Sequence, residues 1–116
     1  MPIFVAVYTM EPEALIAFRK MPKADQEAID AEGLSQWEDW EKRNAGFLRS
    51  PSVMVGKTTR ITREGIGPGQ NTFCGYVLVE AETAEEAARL FADHPHIGIF
   101  PGDGVDIMPV VTGPPD

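Results

Sequence analysis

Thr72 to Val110 reads TFCGYVLVEAETAEEAARLFADHPHIGIFPGDGVDIMPV, and the fold turns on how this stretch is parsed. Phe73 to Glu80 is rich in β-branched and aromatic residues. Phe73, Val77 and Val79 share one parity and Cys74, Tyr76 and Leu78 the other, so the segment reads as a strand whose two faces both want cover. In the next segment Thr83 and Glu86 have the spacing of a capping box. Ala84, Ala87, Ala88, Leu90 and Phe91 then supply the inner stripe of a helix. Pro95 cannot continue that helix, and after a glycine-rich turn Val105 to Val111 forms a last strand.

Working outward, Ile3 to Tyr8 (IFVAVY) is a second strand that is apolar on both parities. Pro12 opens a helix carrying Leu15, Ile16 and Phe18, and Pro22 interrupts it. From Asp25 the helical pattern resumes with Ile29, Trp37 and Trp40 on its apolar side. Gly33 marks a point where that helix divides, and Gly46 lies where a C-terminal cap belongs. FLRSPSVMVGKTTRI then reads as one or two strands in a hairpin arrangement, and REGIGPGQN as a loop, because Gly and Pro fill it. The order strand, helix, strand or hairpin, strand, helix, strand is the split βαβ pattern of a ferredoxin-like α+β fold with an antiparallel sheet. Its helices cover one sheet face only. The apolar residues on the other face therefore call for a second copy, sheet against sheet, in a symmetric homodimer.

The 116 residues make one domain, 1–116, with a usual share of hydrophobic (43%) and charged (24%) residues for a globular chain. With 10 Lys+Arg against 18 Asp+Glu the net charge is -8, which repels phosphate backbones and anionic membranes and argues against nucleic acid as a partner. No window reaches the roughly 18 apolar residues a membrane span requires, and MPIFVAVYTM lacks a basic flank and a small-residue cleavage site. A cytoplasmic protein is expected. The single cysteine, Cys74, excludes an internal disulfide and reads as a small buried hydrophobe.

The chemistry on offer centres on His94 and His96. His94 suits a general acid or base in a pocket, or equally a cap that donates to the last carbonyls of the preceding helix. His96 alternates with Pro95 and faces another way, as a possible substrate contact. Two histidines give two ligands at most, no cluster completes a metal set, and Asp103 and Asp106 are at home in a tight turn for backbone reasons. Trp37 and Trp40 point to one side of their helix, into the core or as the walls of an aromatic cavity, with Tyr8 and Tyr76 offering hydroxyl groups on the inner strands. The charges Glu38, Asp39, Glu41, Lys42 and Arg43 read as a solvated helix face.

Trp37-x-x-Trp40, NTFCGYVLVEA from Asn71, AARLFADHPHI from Ala87 and GVDIMP from Gly104 together resemble the YCII-related family, also called the DGPF-domain group, of dimeric α/β-barrel proteins. The resemblance covers nearly the whole chain and implies the homodimeric barrel. It also implies dehydrochlorination or isomerisation of small ring compounds, carried in such relatives by a histidine after the first strand with an aspartate nearby. This chain has no histidine before His94 and no DGPF tetrapeptide, REGIGPGQ standing in its place. Two functions follow as expectations. One is a small lyase or isomerase that needs no cofactor, with His94 as acid/base and His96, Trp37, Trp40, Tyr8 and Tyr76 around the substrate. The other is a non-catalytic dimer that binds a metabolite or a protein.

Overall fold

The computed structural model describes residues 1–113. Its main sheet is built from β1 (Ile3–Thr9), β2 (Val53–Met54), β5 (Phe73–Glu80) and β6 (Gly104–Pro109), in the order β2-β5-β1-β6 with every pair antiparallel. This is the expected ferredoxin-like arrangement. Registers Phe4↔Val79, Ala6↔Val77 and Tyr8↔Gly75, continued by Ile107 and Val105, align one set of side chains on one face. Over that face lie α1 (Pro12–Arg19), α2 (Lys23–Arg43), α3 (Ala84–Arg89) and the single turn α4 (Pro95–Gly98). Phe4, Ala6, Tyr8, Val77, Val79, Trp40, Ala87 and Phe91 form the packed core between sheet and helices. Among the described residues no helix is long and apolar enough to cross a membrane.

Several local expectations change. The REGIGPGQN segment is not a loop: β4 (Gly65–Gly69) pairs with β3 (Thr58–Thr62) as a separate two-stranded ribbon. The β-branched residues of β3 supply the partner, Gly65 takes the positive φ of 130° at the turn, and an edge strand tolerates Pro68. β2 and β3 therefore do not form a hairpin with each other; β2 joins β5 in the main sheet. α2 runs through Gly33 unbroken, and the glycine is there for space, since a Cβ would collide with the Phe100 ring. Asn44, not Gly46, closes α2, its Nδ2 donating to the Trp40 carbonyl at 2.9 Å. The Thr83 hydroxyl accepts from the Glu86 amide as the capping box requires, but α3 is short, so Ala84 and Ala88 remain exposed while Ala87 and Phe91 are buried.

Trp40 ties the helical layer together. Its Nε1 donates to the Leu90 carbonyl at 2.7 Å and its ring lies 4.9 Å from that of Phe91. The opposite sheet face carries Val5, Tyr76, Leu78 and Met108, partly or largely exposed, with no helix or strand of the described residues across it.

Candidate functional site

Both histidines leave the end of α3 and enter the core, but they do different work. His94 is fully buried and caps α4, not α3: its Nδ1 accepts from the His96 amide at 2.9 Å. The C-terminal cap expected of it is thus replaced by an N-terminal cap of the next turn, because Pro95 starts a new turn at its N1 position. With Nδ1 accepting, the ring proton sits on Nε2, 3.5 Å from the Tyr8 hydroxyl. That leaves the Tyr8 proton for Ser52 Oγ, 3.1 Å away. Trp37 and Trp40 pack edge-on to the His94 ring at 4.3 and 4.5 Å. Burial, then the neighbouring His96, push His94 from 6.5 down to about 3, with Asp93 pulling weakly the other way. Burial likewise raises the Tyr8 phenol to about 12, the Ser52 bond opposing and the Glu41 charge assisting.

His96 is 1% exposed and its Nε2 donates to the Thr9 carbonyl at 2.7 Å, which holds the proton there and leaves the lone pair on Nδ1. Burial lowers its pKa, while the Thr9 carbonyl, Asp103 and the Gly104 backbone act to raise it. No fully buried side-chain nitrogen or oxygen among the described residues lacks a partner, and one edge of the His96 residue lines open space. That space is a cavity of about 440 Å³ between α1, α2, the β2 edge and the chain after α4. Gly102 keeps the ring in place: a Cβ there would collide with the His96 carbonyl and imidazole.

Of the expected site residues, Trp37 and His96 line this cavity. His94, Tyr8 and Trp40 stand behind its wall in the core. Tyr76 projects from the other face of the sheet, next to Val7 and Val53, and does not join them. Five polar or charged residues outside the expected site also line the cavity, Arg19, Asp30, Glu38, Glu41 and Ser52, so Glu38 and Glu41 do not belong wholly to a solvated helix face. A signal existed for two of them. Asp30, Leu34, Trp37 and Glu41 follow the i, i+4, i+7, i+11 spacing of one helix face, so the carboxylates share the tryptophan's side. Cys74 reaches the cavity because the register slips between Tyr8 and Thr9, and burial raises its thiol pKa, so it stays protonated and weakly nucleophilic. No three His, Cys, Asp or Glu side chains among the described residues converge as a metal site.

No family model and no curated protein matches the chain. Among solved structures, it is similar to 5-chloro-2-hydroxyhydroquinone dehydrochlorinase (TftG) from Burkholderia phenoliruptrix AC1100, solved in complex with 2,5-dihydroxybenzoquinone. The TM-score is 0.53 at 13% identity, over 96% of this chain and 95% of that one. A likeness this distant in sequence shows the fold alone.

Proposed function

We propose that the protein binds a small, flat ring compound in the cavity beneath α2 and moves a proton on it, as a lyase or isomerase of the YCII-related kind working without a cofactor. One observation carries this reading: a largely apolar cavity of about 440 Å³, a usual size for a small-molecule site, is lined by both Trp37 and His96, and the Nε2 bond to Thr9 leaves the His96 lone pair on Nδ1. The acid/base expectation accordingly moves from His94 to His96. A base must reach the proton it takes; His94 lies off the cavity wall, with one nitrogen on a backbone amide and the other beside Tyr8, whereas His96 lines the cavity. His94, Tyr8 and Trp40 become the layer that holds Trp37 and His96 in position. The dehydrochlorinase whose fold this chain shares acts on a substituted hydroquinone, which supports hydroxylated rings as the first compounds to try.

The protein acts as a homodimer in this reading. The bare sheet face supports it, and so does the β3–β4 ribbon: Ile61 and Ile66 face each other across its strands at 74% and 75% exposure, and a lone two-stranded ribbon is marginal in water. A second function, a binding dimer without turnover, draws on another observation. His96 is oriented by a carbonyl oxygen and not by a hydrogen-bonded carboxylate that would steady an imidazolium.

The test is a panel of hydroquinones, chlorinated phenols, hydroxyquinones and lactones, followed for turnover and for a rise in melting temperature. Turnover lost in His96→Gln but kept in His94→Asn supports the enzyme. Binding with no turnover leaves the non-catalytic function, and neither response across the panel defeats both.

A further inference from the structure

Asp30, Leu34, Trp37 and Glu41 make a stripe along α2 that faces the cavity, with a carboxylate at each end and apolar side chains between. Glu38, also on the cavity wall, is paired with Lys42 at 3.6 Å. Asp30 and Glu41 are different. Both are half-buried, and neither makes an ion pair or a side-chain hydrogen bond among the described residues. Arg19, the basic residue on the wall among the described residues, pairs with neither carboxylate: its guanidinium lies 5.1 Å from the Phe18 ring centroid and its Nη1 donates to Gln26 Oε1 at 3.3 Å. Glu41 lies near enough to Tyr8 for its charge to make ionisation of the phenol harder.

A half-buried carboxylate without a partner has lost part of its hydration with nothing in return. An anionic ligand would add repulsion, from the wall and from a chain of net charge -8. A cation would do the opposite, and the aromatic residues Trp37 and Phe100 on the same cavity would favour it further.

We infer that the ring compound taken by this cavity carries a positive charge: an aryl or arylalkyl amine whose ammonium group meets Glu41 while its ring lies against Trp37. This rests on the reading that the cavity binds a small ring compound, and it narrows that class away from acidic hydroxyquinones. The hydrogen-bonding needs agree, since an ammonium offers three donors, and Glu41 and Ser52 on the wall both carry oxygens able to accept.

Three probes of matched shape test it: 2-phenylethylamine, 2-phenylethanol and phenylacetate, titrated into the full protein at low salt with the Trp37 indole resonance as the reporter. The amine should bind on the order of tenfold tighter than the alcohol, with phenylacetate weakest. Glu41→Gln should remove the preference of amine over alcohol and leave the alcohol's affinity alone. Asp39→Asn, an equal change in net charge at an exposed position off the cavity wall, should leave the preference intact. Alcohol and amine binding equally, or phenylacetate binding best, overturns the inference while the cavity remains a ring-compound site. If none of the three moves the indole resonance, the inference and the reading beneath it fail together.

Discussion

The two faces of the main sheet are made by the same strands from similar residues, yet they end in opposite states. Phe4, Ala6, Tyr8, Val77 and Val79 are sealed under the helices, none more than 5% exposed. Val5, Tyr76 and Leu78, on the other parity, are half-buried, Met108 is 44% exposed, and of that apolar set Val7 alone is as low as 8%. The difference teaches that apolar character marks where cover is needed but not what supplies it. On one side the chain supplies it and builds a cavity in the seam; on the other it leaves a surface fit for a second copy. The contrast breaks most sharply at Trp40. Trp40→Ala removes a fully buried ring and its hydrogen bond to Leu90, and should cost about 3–5 kcal/mol in urea denaturation. A loss under about 1 kcal/mol would mean that the helical layer is not the sealed side.

Most of this fold was legible in the sequence, for local reasons. Both-parity strands, the Thr83 and Glu86 capping box and the break at Pro22 each name an element without tertiary help, whereas α3 ends at Arg89, well before the expected stop at Pro95. β4 was not legible, because GIGPG has no intrinsic strand preference and becomes a strand only through the β3 ladder. The site was half legible. The His94 and His96 pair was the right place to look, but periodicity assigns faces on helices and strands, not across a Pro-led turn, so the roles of the two rings had to come from their bonds. Glu41 was passed over for a different reason. Charges on an amphipathic helix are usually solvated, and only its four-residue offset from Trp37 sets it apart.

Within the sealed side, acid is the next lever. The folded-state pKa of His94, about 3, lies below the ordinary 6.5, so below 6.5 the unfolded chain binds a proton that the native ring refuses. The stability contributed by the neutral ring is therefore present above about pH 6.5 and lost as pH falls toward 3, at about 1.4 kcal/mol per pH unit. His96, shifted in the same direction, adds to the slope. By pH 4.5 the loss from His94 alone should reach about 2.7 kcal/mol. His94→Asn keeps an acceptor at the N-cap and removes the titration, so its unfolding free energy should be flatter over the same window. A slope unchanged in that variant would show that His94 is solvated and not part of the sealed side.

A smaller effect tests the seam between core and cavity. Gly102→Ala puts a methyl group against the His96 carbonyl and ring. Overpacking should cost about 1–3 kcal/mol, and the displaced imidazole should weaken any cavity ligand by more than the same ligand weakens in an equally destabilised variant remote from the cavity. Equal weakening in both would detach His96 from the ligand site.

The open side should respond least in stability and most in assembly. Met108 pairs with Val5 on the bare face, and its exposure means that Met108→Glu removes little packing from the protomer. Intrinsic protomer stability should shift by no more than about 0.5 kcal/mol, but a carboxylate facing its own symmetry mate across the sheets would repel it. Light scattering should then report a dimer for the parent chain and a monomer for the variant, with the circular dichroism unchanged. Replacing Ile61 and Ile66 by threonine, which keeps the strand preference of the ribbon while removing its apolar surface, should weaken the dimer without abolishing it. A dimer untouched by Met108→Glu but lost with the ribbon substitutions would shift the interface from the sheet face to the ribbon, and the bare face would need some other cover.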